Sequence, residues 1–191
     1  MPTETNRSRR LIDLTIAGLC LALCLALPFL TGQIPQIGQL LSPMHLPVFL
    51  CGFLCEWPYG LAVGLIAPVL RSLLFGMPPL FPTAVGMTVE LAVYGLTAAL
   101  LYRAMGKKKW ALYPALVGSM IAGRLAGGAF QLILLGVGVN SEYSFSRFLA
   151  SYVTGTLPGI AVQLILVPPV VIAVEKALSS QRRSSPEVPR V

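Results

Sequence analysis

Five apolar runs, each long enough to cross a lipid bilayer, constrain this chain more than any other feature of its sequence. A membrane-spanning helix needs about 20 consecutive apolar residues at a rise of about 1.5 Å per residue. The runs are Leu11–Leu30, Tyr59–Phe75, Ala84–Tyr102, Leu112–Gly136 and Tyr152–Ala177. They predict an integral membrane protein built as one compact helical bundle, with no room for a separate soluble domain.

The composition agrees with a membrane environment. Hydrophobic residues make up 55% of the chain and charged residues only 11%, whereas soluble domains carry about 25% charged residues. The net charge of +7 does not indicate nucleic-acid binding, because the charges lie in short clusters between the apolar runs. We therefore expect the lipid bilayer, and no nucleic acid, as a partner.

The distribution of basic residues predicts the topology. Lysine and arginine favour the cytoplasmic ends of membrane spans, and they cluster before the first run, after Ala84–Tyr102 and in the tail. An even number of crossings must separate the first two clusters, so a shorter apolar segment, Met44–Cys55, must cross as well. The fold class predicted is an all-α membrane protein with six transmembrane helices and cytoplasmic N- and C-termini.

The domain organisation follows from the same pattern. We expect residues 1–10 to form a cytoplasmic N-terminal tail, residues 11–178 the six-helix domain, and residues 179–191 a disordered cytoplasmic tail. The basic "RSRR" before the first apolar run resembles the start of a signal peptide. Because so much hydrophobic chain follows, we interpret this run as an uncleaved first span.

The sequence offers little catalytic chemistry. It has one histidine and one aspartate, and it contains no Ser–His–Asp set, no H-E-x-x-H helix and no phosphate-binding loop. The four cysteines form two pairs at spacing four and are typical of small apolar core residues, with a soft-metal site beside Met44 and His45 as the alternative. We expect no catalytic residue, no cofactor, no metal and no ATP hydrolysis by this chain.

Polar side chains within the apolar runs mark a candidate binding site. An arginine at the centre of a span costs about 2.5–3.5 kcal/mol to insert, so Arg124 is expected to have a partner or a task. Residues spaced by three, four or seven share a helix face, which groups Arg124 with Gln131 and Glu90 with Tyr94. The predicted substrate-binding residues are Arg124, Glu90, Gln131, Tyr94, Arg71, Gln163, Asn140 and His45.

Two interpretations of these residues are open. Glu90 and Arg124 can form a structural ion pair, with glycines allowing close helix packing. Alternatively, they line an outward-facing cavity in which Arg71 and Arg124 exceed Glu90 by one positive charge, which would suit a carboxylate or phosphate. Both interpretations are true at the same time if Glu90 orients Arg124 for an anion. His45, at the mouth of the second helix, is more typical of a satisfied interfacial histidine than of a ligand contact.

The first span carries a stripe of small residues, Gly18, Ala22 and Ala26, on one helix face. Such a stripe lets another helix approach closely. On spacing alone it fits packing within the bundle as well as contact with a partner protein.

Several stretches together resemble the substrate-binding S component of an energy-coupling factor (ECF) transporter, over roughly residues 10–178. They are the six-helix length, "GLCLALCLA" in the first helix, "GQLLSPMHLPVFLCGFLCEWPYGLAVGLIAPVLRSLLFG" through the second and third, and the basic turn after the fourth. The chain departs from the family's usual pattern at Glu56-Trp57-Pro58, where glycine-proline is commoner.

The resemblance implies a high-affinity binding subunit of an ABC-type vitamin importer in a prokaryotic cell membrane. Such a subunit binds its substrate on the outer side with its fourth to sixth helices, capped by the loop after the first. Its partners are a transmembrane coupling protein and two cytoplasmic ATPases, whose ATP hydrolysis is thought to topple the subunit. Ala22 and Ala26 match the A-x-x-x-A stripe that contacts the coupling protein in the family, and Gly18 extends this stripe by one turn.

The substrate is less defined than the architecture. The positive balance favours an anionic vitamin or precursor, such as pantothenate, a nicotinate-like acid or a flavin. The alternatives are a self-sufficient facilitator, for which the inner halves of the helices look too apolar, and a ligand-free structural membrane subunit. A membrane enzyme is disfavoured by the missing catalytic groups.

Overall fold

The computed structural model describes residues 4–30, 43–136 and 157–184, and these ranges are helical apart from short connections. Six α-helices follow one another: α1 (Glu4–Leu30), α2 (His45–Leu54), α3 (Trp57–Phe75), α4 (Val85–Ala104), α5 (Leu112–Gly136) and α6 (Leu157–Ser184). A kinked segment, Leu80–Ala84, in which Phe81 has extended backbone, leads into α4, and a 3-10 turn, Lys109–Ala111, leads into α5. The described ranges contain no β-strand.

Five of these helices are long and apolar enough to cross a membrane. The candidate spans are Arg7–Phe29, Trp57–Phe75, Leu80–Ala104, Lys109–Leu134 and Leu157–Ser180. They confirm the five predicted apolar runs and the all-helical membrane fold. The remaining helix, α2, has only ten residues. It is therefore about 15 Å long, half the thickness of the hydrocarbon layer. The sixth crossing and the cytoplasmic side of both termini stay predictions.

The short helix α2 lies in the middle of the bundle. It packs against α1, α3, α4 and α6, and seven of its ten residues are buried. Val48, Phe49 and Phe53 contribute side chains to the apolar core. Because its neighbours are protein on several sides, α2 is apolar around most of its circumference, as expected of a buried helix.

Glycines bring α2, α3 and α4 into backbone contact at one place, which we call the glycine junction (Gly52, Gly60, Gly64 and Gly95). A Cβ atom built on Gly52 or on Gly60 would lie 2.7 Å from the carbonyl oxygen of Gly95. A Cβ on Gly95 would overlap the Gly60 carbonyl, and one on Gly64 would overlap the Leu91 backbone. Small residues at such crossings let helices in a membrane gain dispersion contacts that larger side chains would prevent.

The four cysteines are all buried and reduced, as expected of small core residues. Cys20 lies beside Cys51 across the contact between α1 and α2, and Cys51 lies beside Cys55. The Cys24 thiol lies 3.6 Å from the carbonyl of Met44. Among the described residues, no group of three or more His, Cys, Asp or Glu side chains could hold a metal ion.

The last helix continues past the predicted domain end at residue 178. Residues 179–184 are helical as the final turns of α6, and residues 185–191 lie outside the described ranges. Near this end of α6, Glu175 accepts a hydrogen bond from the Tyr102 hydroxyl at 3.2 Å, which ties α6 to α4.

The glycine junction gives a first prediction. We expect Gly95→Ala to lower the free energy of unfolding by about 1–3 kcal/mol or more, because the new methyl group must displace the Gly60 backbone. Thermal unfolding in detergent measures the loss. Gly136→Ala is the matched control, since a Cβ at Gly136 meets no atom within 4 Å. Equal stability of the two variants would contradict the close contact.

Candidate functional site

Three buried side chains from α2 and α4 lie together within the bundle, those of His45, Glu90 and Tyr94. We call these three residues the polar cluster. Tyr94 donates a hydrogen bond from its hydroxyl to Glu90 Oε1 at 2.5 Å. His45 Nε2 lies 3.9 Å from the same oxygen, within ion-pair distance when the imidazole is protonated. All three residues are less than a tenth exposed, so the cluster holds a carboxylate away from bulk water.

Local sequence explains why these groups meet. Glu90 and Tyr94 are four residues apart on α4, so their side chains lie one above the other on the same face. His45 is the first residue of α2, which enters the bundle beside that face. Its ring lies 5.4 Å from the Tyr94 ring, and the Phe49 ring, one turn further along α2, lies 4.9 Å from Tyr94.

His45 has an unsatisfied polar atom inside the protein. Its Nδ1 is buried and has no hydrogen-bond partner among the described residues. A buried donor or acceptor without a partner costs about 1–3 kcal/mol, and such exceptions are rare enough to need an explanation. A ligand atom is one group that would satisfy Nδ1.

The helix α5 adds a third wall to this region. A Cβ atom on Gly86, one turn before Glu90, would overlap the side-chain amide of Gln131. A Cβ on Gly123 would overlap the Tyr94 ring and lie 3.0 Å from the carbonyl oxygen of Glu90. The two glycines therefore let the polar cluster and Gln131 pack side by side across the α4–α5 contact.

The remaining predicted site residues fall in different places. Arg124 follows Gly123 on α5 and is half-buried, while Gln163 is buried on α6 with 2% of its surface exposed. Asn140 lies outside the described residues. The described ion-pair partner of Glu90 is His45, a contact that the sequence analysis did not foresee.

Arg71 is directed at the first helix. Its Nη1 donates a hydrogen bond to the carbonyl oxygen of Leu25 at 2.8 Å, and its guanidinium lies over the rings of Phe29 and Phe75. These contacts link α3 to the end of α1, near Pro28, which interrupts the hydrogen-bond ladder of α1. A role of Arg71 in substrate binding stays a prediction.

The small-residue stripe of α1 faces away from the other helices. Gly18, Ala22 and Ala26 are exposed, whereas Ala17, Cys20 and Cys24 on the other side of α1 are buried. A Cβ on Gly18 would meet nothing within 4 Å. Within the described part of the chain, the stripe therefore does not serve packing between helices of this bundle.

Comparison with known proteins identifies the family. The sequence profile of the family described as "ECF transporter, substrate-specific component" matches residues 13–171. The chain belongs to this family. The match runs from within α1 to about the middle of α6 and so includes the polar cluster and the stripe. No curated protein and no solved structure matches the sequence significantly.

Family membership settles the general role. The chain is a substrate-binding membrane subunit of an ECF transporter and a transport component, not an enzyme. The family implies association with an ECF module and a small-molecule substrate. The five apolar helices agree with a multi-pass membrane protein.

Sequence analysis missed Gly86 and Gly123, whose lack of a side chain shapes the site as much as the polar groups do. The signal was present, since Gly86, Glu90 and Tyr94 follow one another at spacing four on α4. The sequence does not show that this face of α4 packs against Gly123 and Gln131 on α5.

Gly86→Ala tests this packing. The added methyl group would push aside the end of the flexible Gln131 side chain without displacing backbone. We therefore expect nearly unchanged thermal stability and an affinity for the transported substrate reduced about as much as by Gln131→Ala. The double variant should lose no more than either single variant, whereas full additivity would show that Gly86 does not act through Gln131.

Proposed function

We propose that this subunit binds a vitamin or related micronutrient at the polar cluster and delivers it through an ECF-type importer in a prokaryotic cell membrane. The observation that carries the proposal is the buried His45 with an unsatisfied Nδ1 beside Glu90 and Tyr94. Binding pockets for small molecules typically combine apolar walls with a few well-placed polar groups. Phe49 and Tyr94 supply aromatic surface next to these groups.

The charges of the site suggest the polarity of the ligand. With Arg71 hydrogen bonded to α1, the predicted site retains Arg124 as its permanent cation and Glu90 as its acid. In this proposal, an acidic group of the ligand faces Arg124, as the excess of basic residues in the predicted site first suggested. A hydrogen-bonding edge of the same ligand faces His45 and Glu90, so a small acid with polar ring or amide atoms suits the site.

The exposed stripe of α1 supports the coupling part of the proposal. Gly18, Ala22 and Ala26 leave a flat surface on which a helix of a coupling protein can pack closely. Among the described residues, Gly18, Ala22 and Ala26 are all exposed, which leaves this face of α1 accessible to a partner. In this proposal two cytoplasmic ATPases of the same complex supply the energy of transport.

The first test identifies the ligand. Protein purified gently from cells grown in rich medium is denatured, and the released small molecules are measured by mass spectrometry. We expect one vitamin-like compound in stoichiometric amount, and a loss of at least tenfold in its affinity for Glu90→Gln, roughly one charge-assisted hydrogen bond. Glu175→Gln, which alters the carboxylate near the far end of α6, is the control. Repeated absence of any ligand would favour a ligand-free subunit.

A second test separates coupling from binding. Ala22→Trp places a large side chain on the exposed stripe, so we expect substrate uptake to be abolished while substrate binding remains. Ala173→Trp on α6 is the matched control, because Ala173 is also an exposed alanine within a span. Loss of binding in Ala22→Trp would indicate a disrupted bundle, and normal uptake would contradict the assignment of the stripe.

A further inference from the structure

A polar cavity lies at the opposite end of α2 from His45. Its volume is about 500 Å³, and it is lined by Arg9, Arg10, Asp13, Glu56, Pro58 and Tyr59. These residues come from the first turns of α1, from the connection between α2 and α3 (Glu56) and from the first turn of α3. The substrate site does not account for this cavity, since none of its lining residues belongs to the polar cluster.

Each carboxylate of the cavity contacts one neighbouring protein group, a backbone N–H for Asp13 and the Arg103 side chain for Glu56. Glu56 donates its backbone N–H to Asp13 Oδ2 at 3.3 Å, and Glu56 Oε1 lies 3.5 Å from Arg103 Nη2. The same Arg103 nitrogen donates to the carbonyl of Cys55 at 2.6 Å. No described hydrogen bond or ion pair uses the other carboxylate oxygen of Asp13 or of Glu56, which leaves one acceptor on each.

The two arginines of the cavity, Arg9 and Arg10, take no part in these contacts. Arg9 and Arg10 are exposed, and neither makes a hydrogen bond or an ion pair with another described side chain. Asp13 lies within electrostatic range of Arg9 and Arg103. The cavity therefore presents guanidinium groups and carboxylates together, so a complementary ligand carries both an anion and a cation.

The position of the cavity relative to the bilayer narrows the ligand further. Arg9 and Arg10 stand near the start of the span Arg7–Phe29, and Pro58 and Tyr59 near the start of the span Trp57–Phe75. Trp57, beside them, is 45% exposed, and tryptophan and tyrosine are enriched where spans meet the lipid headgroups. The cavity thus opens at headgroup level, where basic pockets between helices bind lipid headgroups.

We propose that this cavity binds the headgroup of a zwitterionic phospholipid with a primary ammonium group, of the phosphatidylethanolamine type. Arg9 and Arg10 bind its phosphate, because guanidinium groups suit phosphate oxygens. Asp13 and Glu56 accept hydrogen bonds from its ammonium group. A phosphatidylcholine headgroup has the same charges but no N–H donor, and a phosphatidylglycerol headgroup has no cation for the two carboxylates.

Native mass spectrometry of the full-length protein with each lipid, all with the same acyl chains, tests the proposal. We expect phosphatidylethanolamine to bind about tenfold more tightly than phosphatidylcholine, roughly the effect of one charge-assisted hydrogen bond. Stepwise N-methylation of the headgroup should lower the affinity progressively. Because this series uses the unaltered protein, it does not depend on whether a variant folds, and equal affinities would overturn the proposal.

Substitutions test which residues bind the phosphate and which bind the ammonium group of the headgroup. Asp13→Asn keeps an acceptor for the Glu56 N–H, and we expect it to lose the preference for phosphatidylethanolamine over phosphatidylglycerol. Arg9→Gln/Arg10→Gln should weaken both lipids, whereas Lys108→Gln/Lys109→Gln, which removes two exposed cations outside the cavity, should weaken neither. Normal lipid binding by the double arginine variant, with loss of assembly with the ECF partners, would assign the cavity to a protein contact and overturn the proposal.

Soluble glycerophosphoethanolamine distinguishes a lipid from a dissolved compound with the same polar groups. We expect it to bind at least tenfold more weakly than the intact lipid, because it lacks the acyl chains that lie along the apolar surfaces of α1 and α3. Equal affinity of the two would identify a soluble ligand and contradict the assignment to a lipid.

Discussion

Backbone contact at Gly52, Gly60 and Gly95 holds α2, α3 and α4 closer together than any larger side chains would allow. The position of α2 follows from this contact, and with it the position of His45 at the start of that helix. Since lipid tails are as apolar as the helices, close packing takes the place of the hydrophobic effect as the force that joins spans in a membrane. The site thus depends on a backbone contact at which no polar side chain takes part.

The polar cluster places an acid where the surroundings are apolar. A buried charge without compensation is among the most costly features of a membrane protein, and in this chain Tyr94 and His45 provide part of the compensation for Glu90. The hydrogen bonding of the polar cluster is incomplete, because His45 Nδ1 has no partner among the described residues. An incompletely satisfied buried network fits a site that is completed when a ligand enters, which is how we interpret this one.

Much of the architecture could be predicted from the sequence because spans depend on local composition. The five apolar runs correspond to five membrane-length helices, and Glu90 and Tyr94 were grouped correctly from their spacing. Contacts between helices could not be predicted in the same way. The sequence suggested Arg71 for the substrate site, but its described contacts are with α1, and the proximity of His45 to Glu90 depends on how α2 enters the bundle.

His45 is the only histidine in the chain, so one spectroscopic signal reports on the central claim that the polar cluster binds substrate. Protein labelled with ¹⁵N-histidine and purified without a histidine tag is compared by NMR before and after its bound small molecule is removed. We predict a clear change in the Nδ1 resonance as that atom gains or loses its hydrogen-bond partner. An unchanged resonance, with binding confirmed in the same sample, would contradict the claim and place the substrate elsewhere.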